Sequence, residues 1–283
     1  MNEYAKTRST RLKYTFRVSG NPLNRIVLRF AIPKNIPFQQ DVLGIQYEHE
    51  PEIIFKENGN RFAQLHLKKV NNSASSTITM DMDLYKNDLD EMGSLQRLNF
   101  EIDQEELNRY LISEKFIQSY KSSLVRKAAT LTGATKLETL RNIYDFIAHH
   151  MSFELQNKTF GALHGFNKKI GDCSEYSSLF IALCRLNKIP AKWVVGQVIK
   201  KSKEVATHAW LEVWFDEKGW VRMDPTRRDF SNLQNYYVKL IDTDYQPKII
   251  NNATTYQWNY WGKSCVVKLE KSAEWLEDSE MMT

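Results

Sequence analysis

The chain contains 283 residues, of which 42% are hydrophobic, 12% aromatic and 26% charged, and its net charge is +5. This composition is typical of a globular protein and excludes disorder over most of the chain. The 39 basic residues are scattered along the sequence, so we expect no nucleic-acid-binding surface. No apolar run approaches the roughly 18 residues of a membrane span. We therefore expect a soluble protein without a membrane span, cytoplasmic unless a leader has been removed.

The first hundred residues predict an antiparallel β-sandwich. Apolar and polar residues alternate over 11–18, 26–32 and 78–84, which is the period of a strand with one buried face. Asn58-Gly59 stands between two apolar runs and predicts a tight hairpin turn.

A change of pattern at 87–115 predicts a domain boundary, because the sequence there is acidic and aperiodic before a helical period begins. A chain of this length suits two domains of roughly 100 to 200 residues each. We predict an N-terminal β-sandwich domain at 1–100 and a second domain at 101–283.

The second domain is predicted to begin with helices and to continue with strands. Apolar residues at helical spacing predict three helices, at 120–131, 136–150 and 173–187. After Pro190, the runs AKWVVGQVIK, THAWLEVWF and GWVRMD predict three strands. The expected fold class is α+β, with helices packed on an antiparallel sheet.

Cys173 stands at the start of the third predicted helix, where the helix dipole and unpaired N–H groups favour a thiolate. An isolated cysteine is more often a small packing residue, and Cys184 and Cys265 fit that role. Cys173 and Cys184 would lie roughly 16 Å apart along one helix, too far for a disulfide. A nucleophilic role for Cys173 requires a base and a group that orients the base.

His208 and Asp224 are the best candidates for that base and its partner. They are 16 residues apart, an even number, so both side chains face the same side of a hairpin with an odd-numbered loop. Pairing Trp214 with Trp220 places Asp224 opposite Trp210 and diagonal to His208. Taken singly, a strand histidine or an aspartate before proline more often has a structural role.

Three blocks together resemble the transglutaminase-like superfamily, which includes papain-related cysteine acyltransferases and peptidases. They are GDCSEYSSLFIALCRLNKIPAKWVVGQV, THAWLEVWF and GWVRMDPT, and they span 170–226 in the order Cys, His, Asp. The helix YDFIAHHMSFE resembles the helix that precedes the family's cysteine. The strand-rich first hundred residues resemble the N-terminal domain of bacterial members.

The resemblance implies a papain-like transglutaminase core and a role for each member of the triad. Cys173 matches the nucleophile, His208 the general base and Asp224 the residue that orients the imidazole. The backbone N–H of Cys173 is a natural oxyanion donor. Some members of the family use a Trp well upstream of the cysteine as the second oxyanion donor, but no Trp precedes Cys173 here. Asn167 is only a weak candidate for this donor and otherwise fits a solvated loop residue.

Three functions remain open from the sequence. The first is a cysteine-dependent amide-bond hydrolase, a peptidase or amidase acting on a peptide or protein through a thioester. The second is protein-glutamine acyl transfer, by cross-linking or deamidation, and the third is a noncatalytic peptide-binding module. We expect no cofactor and no metal, because no Asp-rich loop has the spacing of a calcium site.

Overall fold

The computed structural model describes residues 6–88, 102–200, 204–227, 230, 232–233, 236–243 and 255–276. Helices and antiparallel sheets are both present, so the predicted α+β class is confirmed. Among these residues, no helix combines the length and apolar character that crossing a bilayer requires.

The strands fall into two larger sheets and two short pairs. The first 88 residues contribute β1 (Lys6–Ala31), β2 (Gln40–Tyr47), β3 (Ile53–Glu57), β4 (Asn60–Tyr85) and β5 (Asn87–Asp88). The middle of the chain contributes β6 (Ser152–Phe153), β7 (Ile170–Gly171), β8 (Ala191–Ile199), β9 (Val205–Phe215) and β10 (Gly219–Met223). The last described strands are β11 (Asn232–Leu233), β12 (Tyr237–Thr243), β13 (Tyr256–Gly262) and β14 (Val266–Leu276).

The described helices are α1 (Gln104–Arg109), α2 (Ser122–Ala129), α3 (Lys136–His150), α4 (Ala162–Lys168) and α5 (Cys173–Leu186). Helices α2, α3 and α5 confirm the three that the sequence predicts. The prediction missed α1 and α4. Gly161 precedes α4 and caps it without a side-chain hydrogen bond, so the usual sequence signal for a helix start is absent.

The N-terminal sheet is built on two long strands, β1 and β4, that bend back on themselves. In a straight strand Phe16 and Phe30 would lie about 46 Å apart, but their ring centroids are 5.1 Å apart. The register of β1 against β4 shifts between Gly20 and Leu23, as at a β-bulge. The two halves of the sheet therefore face each other as the layers of a sandwich, which confirms a strand-rich sandwich in the N-terminal part.

The hairpin between β3 and β4 has the predicted tight turn. Glu57 pairs with Asn60, and the two residues between them, Asn58 and Gly59, have φ angles of 50° and 73°. These left-handed conformations are what a two-residue hairpin turn requires, and asparagine and glycine adopt them most easily.

Two C-terminal strands complete the N-terminal sheet. Strand β14 pairs with β1 from Ser9 to Ser19, and β13 pairs with β1 from Leu23 to Phe30. The sequence had assigned this region to the second domain. The predicted boundary after residue 100 falls within 89–101, which lies outside the described residues. The division at that point therefore stays a prediction.

The second sheet has the order β10-β9-β8-β12 and is antiparallel throughout. Helix α5 packs on it and is buried along nearly its whole length, which places its apolar residues in one core with those of α2 and α3. Trp220 pairs with Trp214, which confirms the predicted register of the β9–β10 hairpin.

Gly196 in β8 lies opposite His208 in β9. A methyl group at this position would overlap the ring of Trp210 and the backbone carbonyl oxygen of Val238. The close approach of β12 and Trp210 to this pair of residues therefore depends on the missing side chain.

We expect Gly196→Ala to lower the free energy of unfolding by about 1–3 kcal/mol, because the added carbon overpacks a site bounded partly by backbone. Gly44→Ala in β2 is the matched control, since nothing lies within 4 Å of the new carbon. That variant should change stability by no more than about 0.5 kcal/mol. Urea denaturation followed by tryptophan fluorescence measures both, and equal losses would contradict the role given to Gly196.

Candidate active site

A cleft of about 810 Å³ contains Cys173 and His208 in its lining. Strand β9 and the start of α5 supply the wall that carries His208 and Cys173. Strands β13 and β14 supply part of the opposite wall, through Tyr256, Leu269 and Lys271. The cleft thus lies where the N-terminal sheet meets the second sheet.

Cys173 is the first residue of α5, as the sequence predicts. Asp172 caps the helix, its Oδ1 accepting a hydrogen bond of 2.8 Å from the N–H of Ser174. Glu175 completes a capping box by accepting the N–H of Asp172 through Oε2 at 3.2 Å. These bonds fix the first helical turn, so the positive end of the helix dipole lies at the thiol.

Glu175 is fully buried, and its second oxygen holds another segment of chain. Oε1 accepts hydrogen bonds from the N–H groups of Phe160 at 2.8 Å and Gly161 at 3.2 Å. Burial raises the pKa of this carboxyl, while the backbone donors partly oppose that rise. The sequence analysis missed Glu175, although the Asp-x-x-Glu spacing of a capping box was visible.

His208 lies between the thiol and a carboxylate. Its Nε2 is 2.7 Å from Oδ2 of Asp224, and Cys173, which lines the same cleft, helps to raise the pKa of the ring. Because Asp224 occupies Nε2, Nδ1 is the ring nitrogen left for the thiol. The structure therefore brings together the three residues that the sequence selected, with His208 in the middle.

The two charged partners shift each other's pKa. Burial of His208 would lower its pKa, but the Asp224 carboxylate, together with Cys173, outweighs burial and raises the pKa to about 10. Burial of Asp224 would raise its pKa, but His208 and the hydrogen-bond donors around the carboxylate lower it to about 2. At neutral pH the pair is an imidazolium and a carboxylate.

Both oxygens of Asp224 accept further hydrogen bonds. Thr226 donates to Oδ1 from its hydroxyl at 2.6 Å and from its N–H at 3.0 Å. The hydroxyl of Tyr237 donates to Oδ2 at 2.7 Å. Thr226 could have been found from the sequence, because Asp and a residue two positions later commonly form such a turn. Tyr237 carried no local signal, since it belongs to β12.

Trp210 closes the buried side of the histidine. It is fully buried, its ring centroid lies 6.1 Å from that of His208, and it packs edge-on against Tyr237 at 5.2 Å. Trp210 therefore belongs to the core beneath His208.

The remaining candidates lie away from the triad. Asn167 is exposed on α4 and is not among the residues that line the cleft, so the structure does not bring it to the thiol. Cys184 is buried in the middle of α5, and burial raises the pKa of its thiol, which favours the neutral form. Cys265 is half-buried and directly precedes β14.

Comparisons with known proteins show what this chain is similar to. A model of the transglutaminase-like superfamily matches residues 122–225. A curated relative, the uncharacterized protein YebA of Bacillus subtilis, is 28% identical over 189 residues, which are 56% of this chain and 24% of YebA. This chain thus spans about a quarter of that relative's length.

Two solved structures are similar in fold. One is from Cytophaga hutchinsonii and is named as a candidate cysteine protease; it is 19% identical, with a TM-score of 0.67 over 95% of this chain and 91% of that chain. The other is the periplasmic domain of TgpA from Pseudomonas aeruginosa bound to ethylmercury, 17% identical over 75% of this chain and 88% of that chain, with a TM-score of 0.38. The first similarity shows the fold alone, and the second is too low to support a conclusion. The segment 122–225, which the model of the transglutaminase-like superfamily matches, contains Cys173, His208 and Asp224.

Proposed function

We propose that this protein is a cysteine-dependent amide-bond hydrolase, a peptidase or amidase that acts through Cys173, His208 and Asp224. The observation that carries the proposal is that Cys173 and His208 line one open cleft and that His208 is hydrogen-bonded to the buried carboxylate of Asp224. Such an arrangement is the usual device for activating a thiol nucleophile. It also counts against a purely noncatalytic binding module, for which this geometry is unnecessary.

In the first half of the reaction, the Cys173 thiolate attacks the amide carbonyl carbon and a C–S bond forms. The backbone N–H of Cys173, at the start of α5, is placed to donate a hydrogen bond to the carbonyl oxygen as it becomes negative. His208 then transfers its Nδ1 proton to the leaving nitrogen, the C–N bond breaks, and a thioester remains.

In the second half, His208 accepts a proton from water as the water oxygen attacks the thioester carbonyl. The C–S bond breaks and a carboxylic acid product leaves with the thiolate restored. Asp224 keeps Nε2 protonated throughout and stabilises the positive charge of the ring. None of these steps requires a cofactor.

Hydrolysis is favoured over acyl transfer because water needs no dedicated binding site, whereas transfer requires an amine held beside the thioester. Both reactions use the same triad and the same first half. Protein-glutamine cross-linking or deamidation is therefore tested as an outcome of the same assay. The cytoplasmic location expected from the sequence, and a peptide or protein as the substrate, remain part of this proposal.

Cys173→Ala is expected to lower kcat/KM by about 10⁴-fold or more, because the nucleophile is lost while the fold is retained. A peptide library with mass-spectrometric detection of hydrolysed, deamidated and amine-linked products, with and without an added primary amine, measures the activity. Hydrolysed products should dominate even when the amine is present.

Cys265→Ala is the matched control, since this half-buried cysteine lies outside the cleft lining and should leave the rate unchanged. Products that persist in Cys173→Ala would disprove the mechanism. A majority of amine-linked products would replace hydrolysis with transfer as the reaction.

The ring of His208 should titrate near pH 10 in the wild-type protein and at a clearly lower pH in Asp224→Asn. The carboxylate favours the imidazolium, so its loss lowers the pKa of the ring. The alkaline limit of kcat/KM should move in the same direction, because the general acid is then lost at lower pH. Nitrogen-15 NMR of histidine-labelled protein follows the ring.

The sign of the linked stability change follows from the same pKa. Because the folded-state pKa of His208 lies above its reference value of 6.5, the stability that its charge contributes is complete below about pH 6.5 and is lost as the pH rises through about 10. In Asp224→Asn this loss should occur at lower pH. A His208 ring that titrates near pH 6.5 in the wild type would contradict the ion pair.

A further inference from the structure

Three cationic side chains line the cleft around Cys173 and His208, namely Lys200, Arg227 and Lys271. Asp172 also lines it, but its carboxylate oxygens accept the backbone N–H groups of Ser174 and Gln156. The charge facing a substrate is therefore mainly positive.

Two of the three cations already have a carboxylate nearby. Nζ of Lys200 lies 2.9 Å from Oε1 of Glu204, and Nε of Arg227 lies 3.8 Å from Oδ2 of Asp224. Lys271 differs, because within the described part of the chain its hydrogen-bond partners are neutral. Its ammonium donates to Oγ1 of Thr207 at 2.7 Å and to Oε1 of Gln197 at 3.0 Å.

Lys271 lines the same cleft as His208. Its partners Thr207 and Gln197 form the cross-strand pair next to that of His208 and Gly196. Neighbouring pairs along a strand are separated by about 3.3 Å and their side chains point to opposite faces, so Lys271 approaches β9 from the face opposite to the His208 side chain. The ammonium is half-buried, and burial lowers its pKa, as expected for a cation whose surroundings do not neutralise it.

We propose that Lys271 determines substrate specificity by binding a carboxylate of the substrate next to the reactive amide, so that the substrates are acidic peptides. This inference rests on the proposed function, since it assumes that Cys173 reacts in this cleft. A carboxylate of the substrate would give Lys271 an anionic partner, which the neutral side chains of Thr207 and Gln197 cannot provide. A hydrogen bond in which both the ammonium and its acceptor are charged is stronger than those that Lys271 now donates to neutral acceptors.

The first test compares two alkylating reagents that differ in charge, iodoacetate and iodoacetamide. In each case the Cys173 thiolate forms a C–S bond to the methylene carbon and iodide leaves, so only the carboxylate distinguishes the reagents. The imidazolium of His208 attracts iodoacetate in every variant. The informative quantity is therefore the ratio of the two rates at Cys173, measured by peptide mass spectrometry.

Lys271→Met should lower the iodoacetate-to-iodoacetamide ratio by about threefold to tenfold relative to the wild type, and the difference should shrink at high salt. Lys271→Gln, which keeps a hydrogen-bond donor, should lower it as well. Lys268→Met is the matched control: it removes the same charge from the same strand, but its side chain is 73% exposed and outside the cleft lining. That variant should keep the wild-type ratio.

An unchanged ratio in Lys271→Met would overturn this inference and leave the proposed function standing. If instead both reagents label Cys173 no faster than an unactivated thiol, the proposed function fails. The ratio would still report whether Lys271 attracts the anion. The two failures are therefore distinguishable in one experiment.

The second test identifies the source of the carboxylate. Binding to Cys173→Ala is measured for three pentapeptides, all blocked at the N-terminus. They are Ala-Ala-Glu-Ala-Ala amide, the Gln analogue as an amide, and the Gln analogue with a free C-terminus. We expect tighter binding of the Glu peptide than of the amidated Gln peptide, and loss of that difference when Lys271→Met is added. Preference for the free C-terminus would assign the carboxylate to the end of the peptide, and equal binding of all three would overturn the inference.

Discussion

The buried ion pair between His208 and Asp224 is the interaction on which the geometry of the site depends. Removing two charges from water is costly, so the pair needs close contact and further hydrogen bonds. The 2.7 Å separation supplies the contact, and Tyr237 and Thr226 supply the donors. With Nε2 held by the carboxylate, the ring presents Nδ1 to the thiol. The proton on the histidine is thus available where the leaving nitrogen would form.

The start of α5 determines why one cysteine of this helix differs from the other. Cys173 and Cys184 lie on the same helix, but their surroundings differ in the properties that stabilise a thiolate. Cys173 lies at the capped N-terminus beside the imidazolium, whereas Cys184 is packed among apolar side chains that favour the neutral thiol. Glu175 connects this helix start to the segment before α4, because the buried carboxylate that caps the helix also accepts hydrogen bonds from the N–H groups of Phe160 and Gly161.

The features that could be predicted from the sequence are those set by local periodicity. The even separation of His208 and Asp224, with the pairing of Trp214 and Trp220, predicted their contact because strand geometry has a strict period of two. Tyr237 and Lys271 could not be predicted, since they reach the site through strand pairings that no nearby residue specifies. The sequence predicted separate strands at 11–18 and 26–32 where the structure has the single strand β1. The reason is that a bulged strand that folds back shows the same alternation as two short ones.

The residues proposed for chemistry and for specificity come from separate parts of this chain. The triad lies entirely within 122–225, the segment that matches the superfamily, whereas Lys271 belongs to a C-terminal strand paired along β1. Lys271 meets β9 at Thr207 from strand β14, which belongs to the N-terminal sheet. A change in how the two sheets pack would move a wall of the cleft without touching the triad. Relatives that keep the Cys-His-Asp core but differ in the accessory sheet are therefore expected to share the reaction and to differ in substrate.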